Sequence, residues 1–174
     1  QLVPSSTDAG AIDFDIANFV LGGTLTSRLE MNVREGKHWA YYARSGASNA
    51  LGQRLWTARS PVQSDKTVEA IGEIRREIAD YASGKAPATA AEVVQAQANN
   101  VRTLPGSHET ARAVLSAIAG INRFGRPDDY VVQRKKIIEA MTPASVQAQA
   151  TAALHPESMT WVIVGDVAKI EAGI

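Results

Sequence analysis

Two consecutive glycines, Gly22 and Gly23, constrain the fold of this chain more than any other feature of its sequence. They follow the apolar residues Phe19-Val20-Leu21 at a helix end, and they precede a second short helix. Because glycine ends helices and permits close backbone approach, the pair predicts a helix end packed tightly against another element. A phosphate-binding loop is the alternative, but the spaced glycines and the lysine of such loops are missing, which favours the architectural role.

Helix-capping residues and apolar residues at helical spacing predict seven helices along the chain. They are expected at residues 13–22, 27–35, 65–83, 89–104, 107–125, 127–141 and 142–154, and the helix at 107–125 should bury Ala111, Val114, Leu115, Ile118 and Ile121. Residues 39–46 and 51–59 predict a β-hairpin, and residues 159–166 predict a strand buried on both faces. Three strands are few for so many helices, so we expect a further strand upstream of Gln1.

Composition limits the classes of function. Eighteen basic and eighteen acidic residues give a net charge of zero, which argues against a nucleic-acid-binding domain. No apolar run approaches the length of about 18 residues that a membrane span needs. The chain has no cysteine, which excludes thiolate metal sites and cysteine nucleophiles. This absence is compatible with a periplasmic location, with the cytoplasm as the alternative. Because the sequence opens on Gln1 rather than methionine, we expect residues 1–174 to be one domain of a longer chain.

Histidine spacing gives no sign of a metal site. His38, His108 and His155 lie far apart, and neither H-x-x-E-H nor H-E-x-x-H is present. A serine hydrolase has little support, because no G-x-S-x-G motif is present. The sequence therefore predicts no metal ligands in this chain.

Arg34 and Tyr41 are the pair of residues with the clearest chemical potential. Arg34 falls at a helix end and Tyr41 seven residues later on a predicted strand, so the turn can bring a guanidinium and a phenol to one side of the sheet. Such a pair offers hydrogen-bond donors to a peptide carbonyl and to the oxyanion formed when water attacks it. The alternative is a cation at a helix C-terminus and an ordinary strand tyrosine.

The same stretch resembles the insulinase (pitrilysin, mitochondrial processing peptidase) family of zinc metallopeptidases, and specifically its C-terminal-type, non-zinc domain. The matching segments are NFVLGG at 18–23, SRL at 27–29, NVRE at 32–35 and WAY at 39–41. Further along, DKT at 65–67 begins a long helix and WVIVGD at 161–166 closes the domain in the same way. The likeness covers nearly the whole chain.

The resemblance implies an α/β fold, a two-layer sandwich in which a mixed or antiparallel sheet carries helices on one face, here without its first strand. It also implies a partner domain or subunit that carries H-x-x-E-H and zinc, and a peptide substrate held between the halves. By position, Arg34 and Tyr41 would bind the peptide near the scissile bond. Tyr42 stands where the family more often has a small residue, so Tyr42 is an alternative to Tyr41; strand alternation would point the two to opposite faces.

The leading interpretation is therefore the substrate-binding, non-zinc domain of an insulinase-type peptidase, inactive without its zinc-bearing half. Arg34 and Tyr41 are its predicted catalytic and substrate-binding residues, and Tyr42 is a further substrate-binding candidate. Arg28, on the same helix as Arg34, is expected to brace the glycine turn. The alternative is a non-catalytic scaffold or recognition domain of a peptidase-like assembly.

Overall fold

A computed structural model describes residues 1–170 of the chain. Its sheet has the strand order β1-β3-β2, formed by β1 (Leu2–Val3), β2 (Arg44–Ala47) and β3 (Arg54–Arg59). Both pairings are antiparallel; Arg44 lies opposite Arg59, and Leu2 lies opposite Leu55. The predicted hairpin is confirmed, although both of its strands are shorter than expected. The strand β1 was not predicted.

The helices lie close to their predicted positions. They are α1 (Ala11–Gly22), α2 (Thr67–Ala82), α3 (Ala90–Arg102), α4 (Ala111–Phe124), α5 (Tyr130–Ala140), α6 (Pro143–Ala153) and the four-residue α7 (Val167–Ile170). A further helical stretch, Glu30–Gly36, has the wider π-helical hydrogen bonding. The predicted α/β class, an antiparallel sheet combined with packed helices, is confirmed.

Capping residues explain why two helices begin where the sequence predicts. Thr89 accepts a hydrogen bond from the backbone N–H of Glu92, and the Glu92 carboxylate accepts one from the backbone N–H of Thr89. Thr142 and Ser145 form the same reciprocal pair at the start of α6, with Pro143 in its first turn. These caps satisfy N–H groups that the first turn of a helix leaves without partners.

Helix α1 lies at the centre of the core. It packs against strand β2 and against helices α3 and α6. The buried side chains in this core include Phe14, Ile16 and Leu21 of α1 itself, together with Trp56 and Ile78. Its C-terminal glycine explains how closely helix and strand approach. A Cβ atom on Gly22 would lie 2.5 Å from the backbone nitrogen of Ser45, inside van der Waals contact. The architectural role predicted for the glycine pair is therefore confirmed.

Residues 39–42 are not part of a strand, contrary to the prediction. Ala40 forms an isolated antiparallel bridge with Val62, Tyr41 lies in a bend, and β2 begins only at Arg44. The helix before this segment ends at Gly36, and His38, two residues later, has a positive φ of 58°. The chain therefore needs several residues to turn into the sheet, which apolar and aromatic residue types alone do not reveal.

The strand predicted at 159–166 does not form within the described residues. Trp161–Val164 have no regular secondary structure, and Val162 and Val164 are 82% and 94% exposed. A groove separates this segment from β3, with Ala58 on one side and Trp161 and Val162 on the other. An apolar segment becomes a strand only when a neighbouring strand shares hydrogen bonds with it, and among residues 1–170 no backbone hydrogen bond joins this segment to β3.

Helix α4 is present, but its predicted buried face is wrong. None of its residues is buried, and Val114, Leu115 and Ile118 are 40%, 65% and 58% exposed. Periodicity reveals that one face of a helix is apolar, but it does not reveal what covers that face. Among residues 1–170, none of the helices has the length and apolar character needed to span a bilayer.

Candidate functional site

The helix that carries Arg34 is attached to the sheet through Glu30. Glu30 is fully buried; its carboxylate accepts hydrogen bonds from the Ala43 backbone N–H at 3.2 Å and from the Arg44 Nε at 2.9 Å. Both donors lie at the start of β2, since Arg44 is its first residue and Ala43 directly precedes it. Sequence reasoning assigned no role to Glu30. Its position between the core residues Leu29 and Val33 is the signal that could have identified it, because a buried carboxylate needs partners.

The turn after this helix directs the chain back towards the sheet. The His38 backbone N–H bonds the Arg34 carbonyl at 3.0 Å, and the Trp39 N–H bonds the Val33 carbonyl at 3.1 Å. Two carbonyls of the last helical turn are thereby satisfied by residues beyond the helix, as in glycine-terminated helices. Here histidine takes the left-handed conformation that glycine usually supplies. The turn therefore sets the path from Arg34 to Tyr41.

The backbone around Tyr41 is fixed on both sides. Ala40 is paired with Val62, the Ser60 hydroxyl donates to the Tyr42 carbonyl at 2.8 Å, and Ala43 is bound to Glu30. A segment held at three points presents its side chains from a defined position. The bend at Tyr41 is therefore an anchored part of the structure.

The Tyr41 side chain projects into solvent from this anchored bend. Tyr41 is 84% exposed, whereas Tyr42 is half-buried. Their ring centroids lie 6.4 Å apart at an interplanar angle of 74°, an edge-to-face contact. The rings do not separate onto opposite faces, because neither residue is in a strand. Within residues 1–170 neither hydroxyl makes a hydrogen bond to the protein.

Arg34 is half-exposed, and it contacts Glu35 at 3.4 Å between Nη1 and Oε1. No hydrogen bond joins Arg34 to Tyr41 in the described part of the chain. The structure therefore places both side chains at the surface on either side of one turn, with donor groups available to a ligand. The arrangement can offer several N–H donors and one O–H donor to a carbonyl or an oxyanion.

The described residues contain no group of three or more metal-ligating side chains. His108 Nδ1 lies 2.9 Å from the Leu104 carbonyl oxygen, and His155 lies 3.8 Å from the Glu157 carboxylate. Neither arrangement resembles a zinc site, which needs three or four converging ligands. Residues 1–170 therefore do not fit a zinc ion.

Arg28 has a structural role, although a different one from that predicted. Its guanidinium binds both carboxylate oxygens of Glu92 at 2.7 Å and the carbonyls of Ala86 and Pro87, and it lies 4.7 Å from the ring centroid of Tyr81. These contacts fasten the helix to the start of α3; the predicted bracing of the glycine turn is wrong. Sequence separation hid this partner, since Arg28 and Glu92 are 64 residues apart.

These contacts and the burial of the cluster change the pKa values of Arg28, Glu92 and Tyr81. Burial disfavours the charged form of Glu92, but the hydrogen bonds from Arg28 and Thr89 outweigh it, so that the pKa of Glu92 is lowered. The pKa of Arg28 is raised, because its bonds to Glu92 outweigh its own desolvation. Burial also raises the pKa of Tyr81, whose hydroxyl donates to the Ala17 carbonyl. The cluster is therefore fully charged at Arg28 and Glu92 near neutral pH.

Comparison with known proteins identifies the family. A family model described as "Peptidase M16 inactive domain" matches residues 1–100, which is more than half of the chain. The chain belongs to this family. The M16 inactive domain is the non-zinc domain of the insulinase-type peptidases, so the resemblance found in the sequence is confirmed.

Solved structures share the fold at low sequence identity. The M16 inactive domain from Pseudomonas fluorescens has a TM-score of 0.79 and 20% identity over 90% of this chain. The inactive peptidase domain of a candidate zinc protease from Bordetella parapertussis has a TM-score of 0.74 and 14% identity, covering 88% of this chain and 80% of that one. The periplasmic protease PqqL from Escherichia coli has a TM-score of 0.68 and 16% identity, covering 88% of this chain and 16% of that one.

The chain spans only 37% of the length of the Pseudomonas fluorescens structure. No curated protein sequence matches it. The comparisons therefore establish the family and the fold of this M16 inactive domain.

Proposed function

We propose that this M16 inactive domain is the substrate-binding half of an insulinase-type zinc peptidase that acts on peptides. Its zinc would be held by a partner domain or subunit, since the described residues of this chain do not fit the metal. The observation that carries the proposal is the anchored turn between Arg34 and Tyr41, whose exposed donors occupy the positions that the family resemblance assigns to substrate binding.

Arg34 would hold the backbone of the bound peptide. Its contact with Glu35 is an exposed ion pair at 3.4 Å, and such pairs are worth little in water, about 0–1 kcal/mol. A peptide carbonyl can therefore use the remaining N–H groups of the guanidinium at small cost. A guanidinium that binds one or two carbonyl groups also fixes the orientation of the backbone between them.

Tyr41 would act on the peptide carbonyl itself. When water adds to this carbonyl, negative charge develops on its oxygen, and the Tyr41 hydroxyl could donate a hydrogen bond to it. The hydroxyl makes no hydrogen bond to the described residues, so none would have to be broken. Tyr42 is the alternative donor, since its ring is in edge contact with Tyr41 and its position differs by one residue.

A periplasmic location is part of this proposal. The chain lacks cysteine, and its fold is shared with the periplasmic protease PqqL. Fractionation of cells that express the full-length protein would test the location directly.

A non-catalytic scaffold or recognition domain is the second candidate. The observation that favours it is the Glu35 carboxylate beside Arg34, since a residue that must bind carbonyl oxygens gains nothing from a competing acceptor. The two functions differ in one observable: whether a gene that encodes this chain, or its neighbour, also encodes H-x-x-E-H.

The decisive experiment reconstitutes the domain with its zinc-bearing half and measures peptide cleavage. Arg34→Ala and Tyr41→Phe should each lower kcat/KM by about tenfold or more, as loss of a donor to a developing oxyanion does. Arg75→Ala is a matched control, because Arg75 is an exposed arginine on α2 with no ion pair among the described residues; it should leave turnover unchanged. Wild-type turnover in both test variants would refute the assignment. Impairment of Tyr42→Phe alone would transfer the role to Tyr42.

A further inference from the structure

A cavity lies away from the turn that carries Arg34 and Tyr41. It encloses about 620 Å³ between α4, α5 and the N-terminal part of α1. Small residues of α4, among them Ser116, Ala117 and Gly120, form one wall and leave the space open. Three arginines line it: Arg123, Arg126 and Arg134. A volume of this order suits a small organic ligand.

The three arginines lack acidic partners in the described part of the chain. No carboxylate of residues 1–170 lies within 4.0 Å of their guanidinium nitrogens, although thirteen other ion pairs form there. The carboxylate of Asp15 also lines the cavity, but it binds Arg54 at 2.9 Å. Arg126 and Arg134 each make one long hydrogen bond, at 3.5 Å to the Ser6 carbonyl and at 3.4 Å to the Asn100 side chain.

The wider segment has the same excess of positive charge. Residues 102–136 contain seven basic and three acidic side chains, although the whole chain is neutral. The cavity therefore lies in a basic segment of a neutral protein. A cluster of like charges repels itself unless an anion compensates it.

Arg126 is held in a defined orientation. Its guanidinium carbon lies 4.7 Å from the ring centroid of Phe124 and 4.2 Å from that of Tyr130. These two ring contacts leave N–H groups at the edge of the guanidinium for a ligand, since its one hydrogen bond within residues 1–170 is to the Ser6 carbonyl. This edge matches the paired oxygens of a carboxylate or a phosphate. Rigid stacking lowers the entropy that a flexible arginine loses on binding.

We propose that this cavity binds a small organic anion with at least two oxyanion groups, held by Arg123, Arg126 and Arg134. The aromatic rings and the small α4 side chains contact the carbon skeleton, while the guanidinium groups bind carboxylate or phosphate oxygens. The site shares no residue with Arg34, Tyr41 or Tyr42. It therefore stands independently of the proposed peptidase function.

Isothermal titration calorimetry with citrate and with pyrophosphate tests the proposal on the whole chain at low salt. We expect a Kd of about 1 mM or tighter for at least one probe, since two charge-assisted contacts suffice for this affinity. Arg126→Gln and Arg123→Gln should each weaken binding by about tenfold. Because Arg123 is exposed, its substitution removes a charge with little risk to folding; circular dichroism verifies that each variant is folded.

Arg112→Gln is the matched control, since Arg112 is exposed on the same helix outside the cavity. Its affinity should stay within about twofold of wild type. Binding of citrate alone identifies a carboxylate ligand, binding of pyrophosphate alone identifies a phosphate ligand, and binding of both supports the shared oxyanion chemistry. If neither probe binds, or if Arg112→Gln weakens binding as much as Arg126→Gln does, the proposal is wrong.

Discussion

Arg28 and Glu92 show how much a single long-range ion pair determines at the level of individual residues. Arg28 binds both Glu92 oxygens, and Glu92 also caps α3 by accepting a bond from the Thr89 N–H. The side chains are 14% and 28% exposed, so water screens this pair less than it screens pairs at the open surface. One carboxylate therefore fastens the Arg28 helix to α3 and caps α3 itself.

The lowered pKa of Glu92 predicts a specific dependence of stability on pH. A carboxylate with a lowered folded pKa stabilises the protein above its usual pKa, near 4.5, and this contribution is lost as pH falls through the folded value. At pH 7 we expect Glu92→Gln to lower the free energy of unfolding by about 1–2 kcal/mol. The difference from wild type should shrink as the pH falls below 4.5.

Urea denaturation at pH 7 and at acidic pH measures both effects. Glu109→Gln is the control, because Glu109 is exposed and has no ion pair in the described residues; it should change stability little at either pH. A difference for Glu92→Gln that stays constant down to acidic pH would show that the Arg28 pair does not depend on the Glu92 charge.

At the scale of elements, alanine substitutions at two glycines should change the stability of the protein in opposite directions. A Cβ atom on Gly22 would lie 2.5 Å from the Ser45 nitrogen, whereas one on Gly72 would meet nothing within 4 Å. Gly22→Ala forces α1 away from β2 and should cost about 1–3 kcal/mol of stability. Gly72→Ala, in the middle of α2, should stabilise by up to about 1 kcal/mol through helix propensity. Thermal unfolding of the two variants checks both signs, and destabilisation by Gly72→Ala would contradict the packing argument.

The sequence predicted elements whose boundaries depend on local chemistry. Helices α3 and α6 begin directly after the capping residues Thr89 and Thr142, as predicted. These starts were predictable because the capping bonds join residues only three positions apart. Two predictions failed because they required distant partners. The apolar run at 159–166 has no adjacent strand, and the apolar face of α4 has no described element over it.

The sequence proposed residues for the candidate site but not their geometry. Spacing and family resemblance selected Arg34 and Tyr41, and their roles remain predictions. The left-handed conformation of His38 and the three contacts that hold residues 40–43 were not predictable, because they depend on Val62, Ser60 and Glu30. The arginine cavity was not predicted either, because its basic side chains come from α4, from α5 and from the turn between them.

At the scale of the whole molecule, one edge of the sheet is incompletely paired within residues 1–170. The Trp56 N–H donates to the Gln1 carbonyl, and alternate residues of a strand point the same way, so the Ala58 N–H faces the same edge. Within residues 1–170, β1 pairs with Leu55 and Arg54, and this pairing does not extend as far as Ala58. The groove beside Ala58 is lined on its other side by Trp161 and Val162.

Amide hydrogen exchange should distinguish the N–H groups of β3 that face β2 from those that face the groove. Thr57 lies opposite Gly46, and its N–H points towards β2, whereas the Ala58 N–H points into the groove. We expect the Thr57 amide to exchange at least about tenfold more slowly than that of Ala58, since it opens only when the hairpin separates. Equal protection of the two amides, measured by NMR, would mean that another segment covers the edge.

An unpaired strand edge can also bind a further strand. Unpaired N–H and C=O groups beside exposed valines form a template on which a second molecule can add a strand. Val162 and Val164 give this groove an apolar wall, so a copy that enters it would gain both backbone hydrogen bonds and buried surface. For residues 1–174 prepared alone, we therefore expect edge-to-edge assembly in concentrated solution, and a lysine at position 162 would be the simplest way to keep the molecules apart.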